Sequence, residues 1–565
     1  MNFTSIQNLL LATGFLAIST TATASGSPFF DDTSLSTDSQ SLHLALMGSK
    51  EIPDYITLQK NRAVIGKIII KRNNVFDPSK PEEDIPLFRL ANKLHIITAE
   101  SVIMNQLLFE SGDIFSQQIL EESERILRNS SYLYDAEIRI IAYHDNVVDI
   151  EVTTRDVWTL TGSINFSREG GSNSLSAQVE ESNLLGYGKK LKLKTGSTVD
   201  RDETLISYSD KQFFGTRNKV FLLHNDKSDG ITDQFEFERP FYSLHSKWSM
   251  GFKINADDRT DAVYQFGEVV NQFNHTEENI SLFLGLSEGY LNHQVYRWLF
   301  GFDKDRDNFS PNDAYPGQPI PEDRDFRYPW ISLEMYEDRV VKTRHITQIR
   351  RTEDLNLGNE FKFKLGWSTQ HFDANNDGLV YEMEANMAFK SPGNHLLLLN
   401  PFFEGRYADR AGENNRIGFD SKYYVPVFGD HVFYMSLKGN YVRNAYMDEQ
   451  LLLGGDNGLR GYPLRFQSGD RSYLFTVEQR FYTEWHWFQL VYVGGLAFFD
   501  VGRAWEPGVP ENANTRRLRD AGLGLRLASS RGSRGLVLHI DLAFPMDGDS
   551  SIDSMQLLIT TNESF

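Results

Sequence analysis

The chain contains no cysteine, which removes disulfides, thiol catalysis and cysteine-ligated zinc from consideration. It is short of positive charge. Its 57 Lys and Arg stand against 77 Asp and Glu, for a net charge of −20, and a general nucleic-acid binder needs the opposite balance. After its first residues it lacks any apolar run long enough to cross a bilayer as a helix. Signatures of common catalytic sites are missing too: there is no Gly-x-Ser-x-Gly, no His-Glu-x-x-His and no Gly-rich phosphate loop closing on Lys and Ser or Thr. The 13 histidines are scattered and no acid pair stands out. We expect neither an enzyme nor a cofactor-binding protein.

What is present is a chain of distinct textures over 565 residues. Residues 1–24 read as a signal peptide, with an apolar run from Leu9 to Ile18 and the small-residue pattern Ala22-Thr-Ala24, although no Lys or Arg precedes the run. An exported chain without a spanning helix can reside in a membrane only as a barrel. Residues 25–60, rich in Ser, Thr and Asp, read as a flexible lead-in. Residues 61–156 have the pattern of a small α+β domain. A strand is expected at 63–71 and a helix within 94–109. A second helix is marked by Phe115, Ile119, Ile126 and Leu127 with Ser116 as its cap, and a hairpin of strands 136–143 and 146–153 turns about His144-Asp145.

From 157 to 565 the pattern is repeated two-residue alternation. Phe361, Phe363, Leu365 and Trp367 alternate with Lys362, Lys364, Gly366 and Ser368, and Leu536, Leu538, Ile540 and Leu542 with Val537, His539, Asp541 and Ala543. A soluble sandwich and a membrane barrel both show such strands. The leader, the 13% aromatic content and the absence of helical periodicity favour the barrel, whose aromatics form girdles at the membrane interfaces. Turns such as 214–217 and 391–394 fit its periplasmic end, and the Asp- and Pro-rich segment 305–326 an external loop. Asp373-Ala-Asn375-Asn-Asp377-Gly378 with Glu384 matches a calcium-loop pattern, but the flanks are strands where that motif requires helices, so we read a hairpin tip. Asp373, Asn375 and Asp377 are the weak candidates for a metal.

One stretch stands apart. Leu453-Gly-Gly-Asp-Asn-Gly-Leu-Arg-Gly-Tyr-Pro-Leu464 holds four glycines, a proline and a single arginine, Arg460. It is a shaped loop, since these residues weaken or break strands and helices alike. An arginine between strands seeks carboxylates on their polar faces. Glu478 and Asp500 suit a two-pronged guanidinium contact.

Leu459-Arg460-Gly461-Tyr462, Glu478-x-Arg480 and Phe498-x-Asp500-x-Gly502 resemble the signature of the outer-membrane assembly and translocation superfamily, the BamA/TamA-like barrels of bacterial surface antigen type. The resemblance implies a 16-stranded antiparallel transmembrane β-barrel at 157–565, with an inward latch loop around 453–470 and one POTRA-like periplasmic domain at 61–156 in a Gram-negative envelope. It implies that Arg460 is the latch tip, that Gly461 and Tyr462 shape it, and that Glu478, Phe498, Asp500 and Gly502 form the receiving wall. Asn183 to Gly188 resembles the family's early hairpin. Phe565 resembles the C-terminal signal read by the machinery that inserts such barrels, while Asn562-Glu-Ser564 breaks the alternation before it. The implied partners are the bilayer, that assembly machinery, and client polypeptides met at the domain's strand edge and at a labile seam between first and last strands. The alternative is a passive pore or surface structural barrel, and the motifs name no client.

Overall fold

The computed structural model describes residues 52–375, 377–408, 411–512, 514–532, 537–548 and 550–562. The leader, most of the lead-in and Phe565 lie outside the described residues.

A small domain comes first. Helix α1 (Tyr55–Lys60), strand β1 (Val64–Asn73), helices α2 (Pro86–Leu94), α3 (Glu100–Met104) and α4 (Gln117–Arg128), and strands β2 (Leu133–His144) and β3 (Val147–Asp156) follow in order. The sheet order is β1-β3-β2, with β1 parallel to β3 and β2 antiparallel to it. Ser116 caps α4 by accepting from the Ile119 amide, as a serine before an amphipathic run does. Leu58, Ile65, Ile103, Leu127, Leu133 and Ile150 fill the core. Because α1 contributes Leu58 to that core, order begins within the segment expected to be a lead-in. The helix expected within 94–109 is the short α3, and α2, which the sequence reading did not expect, precedes it from Pro86, where the ring suits a first turn.

The barrel runs from Leu160–Glu169 to Gln556–Asn562 and closes with 20 strands, which corrects the expected 16. The sixteen was what the resemblance implied; the alternation itself divides ambiguously between 245 and 345, for a physical reason. Strands Trp248–Gln265, Glu268–Leu291, Gln294–Pro311 and Arg324–Glu337 are 14 to 24 residues long, well beyond the ~9–11 that cross a bilayer. In their far halves both faces are polar, as at Asn274, Thr276, Glu277 and Glu278, so the alternation that marks strands fades there. The expected loop at 305–326 is accordingly shorter, because its first residues belong to a strand that continues to Pro311.

In the membrane-level half the alternation is strict. Trp248, Met250 and Phe252 pair with Leu286, Leu284 and Leu282, of which Leu286 and Leu284 pair onward with Trp298 and Phe300. All these side chains are exposed on the outer wall. A continuous apolar surface of this extent suits hydrocarbon and not water. No described helix is long and apolar enough to cross a membrane. The opposite face carries charge in pairs, such as Lys364 with Asp303 and Lys362 with Glu382, each at 2.6 Å.

Two segments enter the lumen. At the far end, 444–470 folds inward on a short stem, Leu451–Leu453 paired with Gln467–Gly469. At the end bearing the small domain, 338–359 forms a hairpin, Val340–Thr343 with Glu353–Asn356, that the sequence did not announce. Its Ile346, Ile349 and Leu357 are buried among the inward residues Leu396, Tyr424, Tyr482 and Leu496. Arg128 of α4 holds the hairpin through Asp354, with Nε–Oδ2 at 2.9 Å and Nη2–Oδ1 at 2.6 Å. Lys342 reaches Glu124 at 2.8 Å.

Closure of the ring is uneven. The last strand pairs with its predecessor from Val537↔Asn562 to Ala543↔Gln556, and the first with its successor from Leu160↔Glu181 to Glu169↔Ser172. Between last and first, one register pair among the described residues joins them, Ile559↔Arg168.

Candidate functional site

Four consecutive strands build the wall that faces the inward loop: Arg471–Trp487, Val491–Trp505, Leu518–Ser529 and Val537–Pro545. Their alternation turns Thr476, Glu478 and Arg480, then Phe498, Asp500 and Gly502, then Asp520 and Arg526, then Asp541 toward the interior, where each is buried or nearly so. The registers Thr476↔Asp500 and Glu478↔Phe498 bring the first two sets side by side.

Arg460 descends from the loop into this wall. Its Nε lies 2.8 Å and its Nη2 3.1 Å from the two oxygens of Asp500, a forked contact, and Nη2 donates to Glu478 at 3.0 Å. Nη1 lies 3.5 Å from Asp541. The guanidinium carbon sits 3.5 Å from the centre of the Phe498 ring, a stacking that favours arginine over lysine. Thr476 donates to Asp500 at 2.7 Å, and Arg480 Nε to Glu478 at 2.8 Å, so both acids have a second donor. Buried charges survive only when satisfied in this way.

The loop's shape follows from its glycines. A Cβ on Gly461 would fall 2.7 Å from that of Asp520, so no larger residue lets the arginine's neighbour pass this close to the wall. In the wall, Gly522 leaves the space that the Phe498 ring occupies, since a Cβ there would lie 2.4 Å from the ring. Leu459 and Tyr462 are fully buried with Leu453, Phe466 and Leu474. The Tyr462 hydroxyl donates to the Arg519 carbonyl at 2.7 Å. Gly502 leaves room for Leu453 and Leu459. On the loop's other flank, Arg465 forks onto Asp200 and stacks over Tyr264, so the loop reaches across to hairpins on the opposite arc.

Leu459, Arg460, Gly461 and Tyr462 therefore stand with Glu478, Phe498, Asp500 and Gly502 in one assembly. Sequence reasoning missed Asp541, Asp520 and Arg526 as members. Alternation put them on inward faces, but nothing in the sequence says how far a guanidinium reaches across neighbouring strands.

The calcium-like segment lies at a hairpin end between Glu360–Ser368 and Gly378–Ser391. Asp377 accepts from the Gln370 amide, and Asp373 lies 3.4 Å from Arg327. Asn375 donates to the Asp323 carbonyl, while Glu384 sits in the strand opposite Lys362. Another acidic group, His275, Glu277 and Asp307, is held by its own ion pairs. His275 contacts Asp261 at 2.7 Å and Asp307 at 3.1 Å, and Arg259 binds Glu277.

A model of the Omp85 superfamily domain matches residues 183–557. The chain belongs to the Omp85 superfamily. Among curated proteins, the outer membrane protein assembly factor BamA of Buchnera aphidicola subsp. Acyrthosiphon pisum (strain APS) is 25% identical over 217 residues, 37% of this chain and 34% of that protein. The match thus spans about a third of the relative's length. Among solved structures, BamA from Haemophilus ducreyi lacking POTRA domains 1-3 is 14% identical with a TM-score of 0.40, over 88% of this chain and 85% of that one. CdiB from Acinetobacter baumannii is 12% identical with a TM-score of 0.44, over 89% and 74%. The family and the outer apolar belt make this Omp85 barrel a bacterial outer-membrane protein.

Proposed function

We propose that this Omp85 barrel inserts or translocates client polypeptides at the junction of its first and last strands, with Arg460 latching the inward loop to Asp500 and Glu478 during the cycle. The observation that carries this reading is the closure itself. Among the described residues, one register pair joins strands whose other neighbours are paired along their length, and an under-paired edge is a template for an incoming strand. No bond-making chemistry is required. The small domain, with its strand-helix-strand-strand order, serves in this reading as a single POTRA-like periplasmic module that presents clients. A passive pore fits less well, because inserted segments occupy the lumen from both ends.

The test is quantitative proteomics of outer membrane and culture medium from a deletion strain complemented with wild type, Arg460→Ala, or the pair Arg168→Cys and Ile559→Cys. The chain has no other cysteine, so oxidation locks the junction alone. Loss of one secreted protein in the locked strain, restored by reductant, identifies a translocase, and a joint fall of several barrels identifies an insertase. A locked junction that changes neither fraction, while the deletion does, overturns the junction as the route.

A further inference from the structure

Helix α2 carries an apolar stripe that the domain's own core does not use. Leu87, Leu90 and Leu94 recur at the i, i+3, i+7 spacing of one helical face and are 62%, 52% and 65% exposed. Ile85 and Ile96, flanking the helix, are exposed beside them. The helix is not loosely attached. On a second face, Phe88 stacks on Phe76 with ring centres 4.0 Å apart, and Asn92 bonds both the amide and the carbonyl of Phe76. Phe88 and Ala91 pack with Val75, Trp158 and Leu490, the last two from the barrel's near rim. The third face holds Arg89 and Lys93, both exposed.

The helix is tied to the rim on both sides of the weak junction. On one side Arg531, in the connection after Leu518–Ser529, binds Glu83 at 2.8 Å, and its carbonyl accepts from the Trp158 amide at 2.8 Å. On the other, the Ala99 amide donates to the Gly186 carbonyl at 2.8 Å, and Asn183 donates to Thr98 at 2.9 Å. The rim beside Leu490 is itself aromatic and exposed: Trp485, Trp487 and Phe488 at 63%, 46% and 86%. Leu160, the first residue of the first strand, is 50% exposed.

We propose that the Leu87–Leu90–Leu94 face of α2 seats in the near leaflet of the bilayer beneath the junction, as an interfacial helix rigidly carried by the barrel. The helix packs on the near rim through Trp158 and Leu490, next in sequence to rim aromatics that are themselves exposed, and lipid is what covers aromatic surface at a barrel rim. Its apolar face has the composition of helices that lie in the headgroup region, with Lys93 at its edge to reach outward to phosphate, while Arg89 is held by Asp84 at 2.7 Å. The inference rests on the barrel's seat in a membrane and not on client handling.

The experiment uses the full chain in nanodiscs of phosphatidylethanolamine and phosphatidylglycerol, with one cysteine introduced at a time and labelled with an environment-sensitive nitrobenzoxadiazole. Leu90→Cys is expected to be quenched at least twofold more by doxyl-labelled lipid than by aqueous iodide. Ile56→Cys, on α1 and 75% exposed, reports the aqueous pattern. Iodide quenching at Leu90 equal to that at Ile56 overturns the proposal. Shielding of Leu90 from both quenchers also overturns it, because the cover is then protein.

Discussion

Arg460 places one positive charge against three carboxylates and one ring, and its removal leaves Asp500 with the Thr476 hydroxyl but, among the described residues, no cation, while Glu478 keeps Arg480 and Asp541 keeps Arg526. Asp500 is fully buried. We expect Arg460→Ala to destabilise the folded barrel by about 3–5 kcal/mol, the range for breaking one side of a buried pair, read as a lower midpoint in chemical denaturation followed by gel mobility. Arg460→Lys keeps the charge but neither the fork nor the stack on Phe498, and should fall between the two. Glu478 and Asp500 were legible because one arginine stood in a glycine-rich loop and two acids lay on inward faces nearby in sequence. Asp541 and Asp520 were not, because membership depends on lateral strand order, which alternation within a strand does not encode.

At the level of elements, the hairpin at 338–359 binds the small domain to the lumen. Breaking its bidentate pair by Asp354→Ala is expected to cost about 3–5 kcal/mol of hairpin docking, measured as faster alkylation of a cysteine placed at Ile349. Docking also carries a pH dependence. His345 is buried against the Tyr482 ring, and burial pushes its imidazole from 6.5 down to about 4. The depressed value means the docked state resists taking up a proton that the released state accepts. Docking is therefore full above about pH 6.5 and is lost as pH falls toward 4, by up to about 3 kcal/mol. His345→Phe should flatten the alkylation rate across that window. This hairpin escaped the sequence reading because its strands are four residues each, too short for alternation to register. The strand number sixteen came from the resemblance and not from the alternation, which divides ambiguously where strands of up to 24 residues outlast their apolar pattern. The capped helix α4 and the turn after His144 were plain, being set by local side chains.

For the whole molecule the ring size matters. Twenty strands enclose a wide lumen, since diameter grows roughly linearly with strand number, and the wild-type protein should nevertheless conduct little in planar bilayers. Removing residues 344–352 is expected to raise single-channel conductance severalfold only if the far-end loop is released as well, through Arg460→Ala; steady large conductance from the intact chain would contradict the occupied lumen. A duct stoppered independently at each mouth works like a canal lock. Each stopper is fastened to a different part of the molecule, one to the strand wall through Arg460 and the other to α4 through Asp354. On the proposed function, one gate is then free to swing while its opposite stays shut, so that the cell keeps its permeability barrier while a client passes.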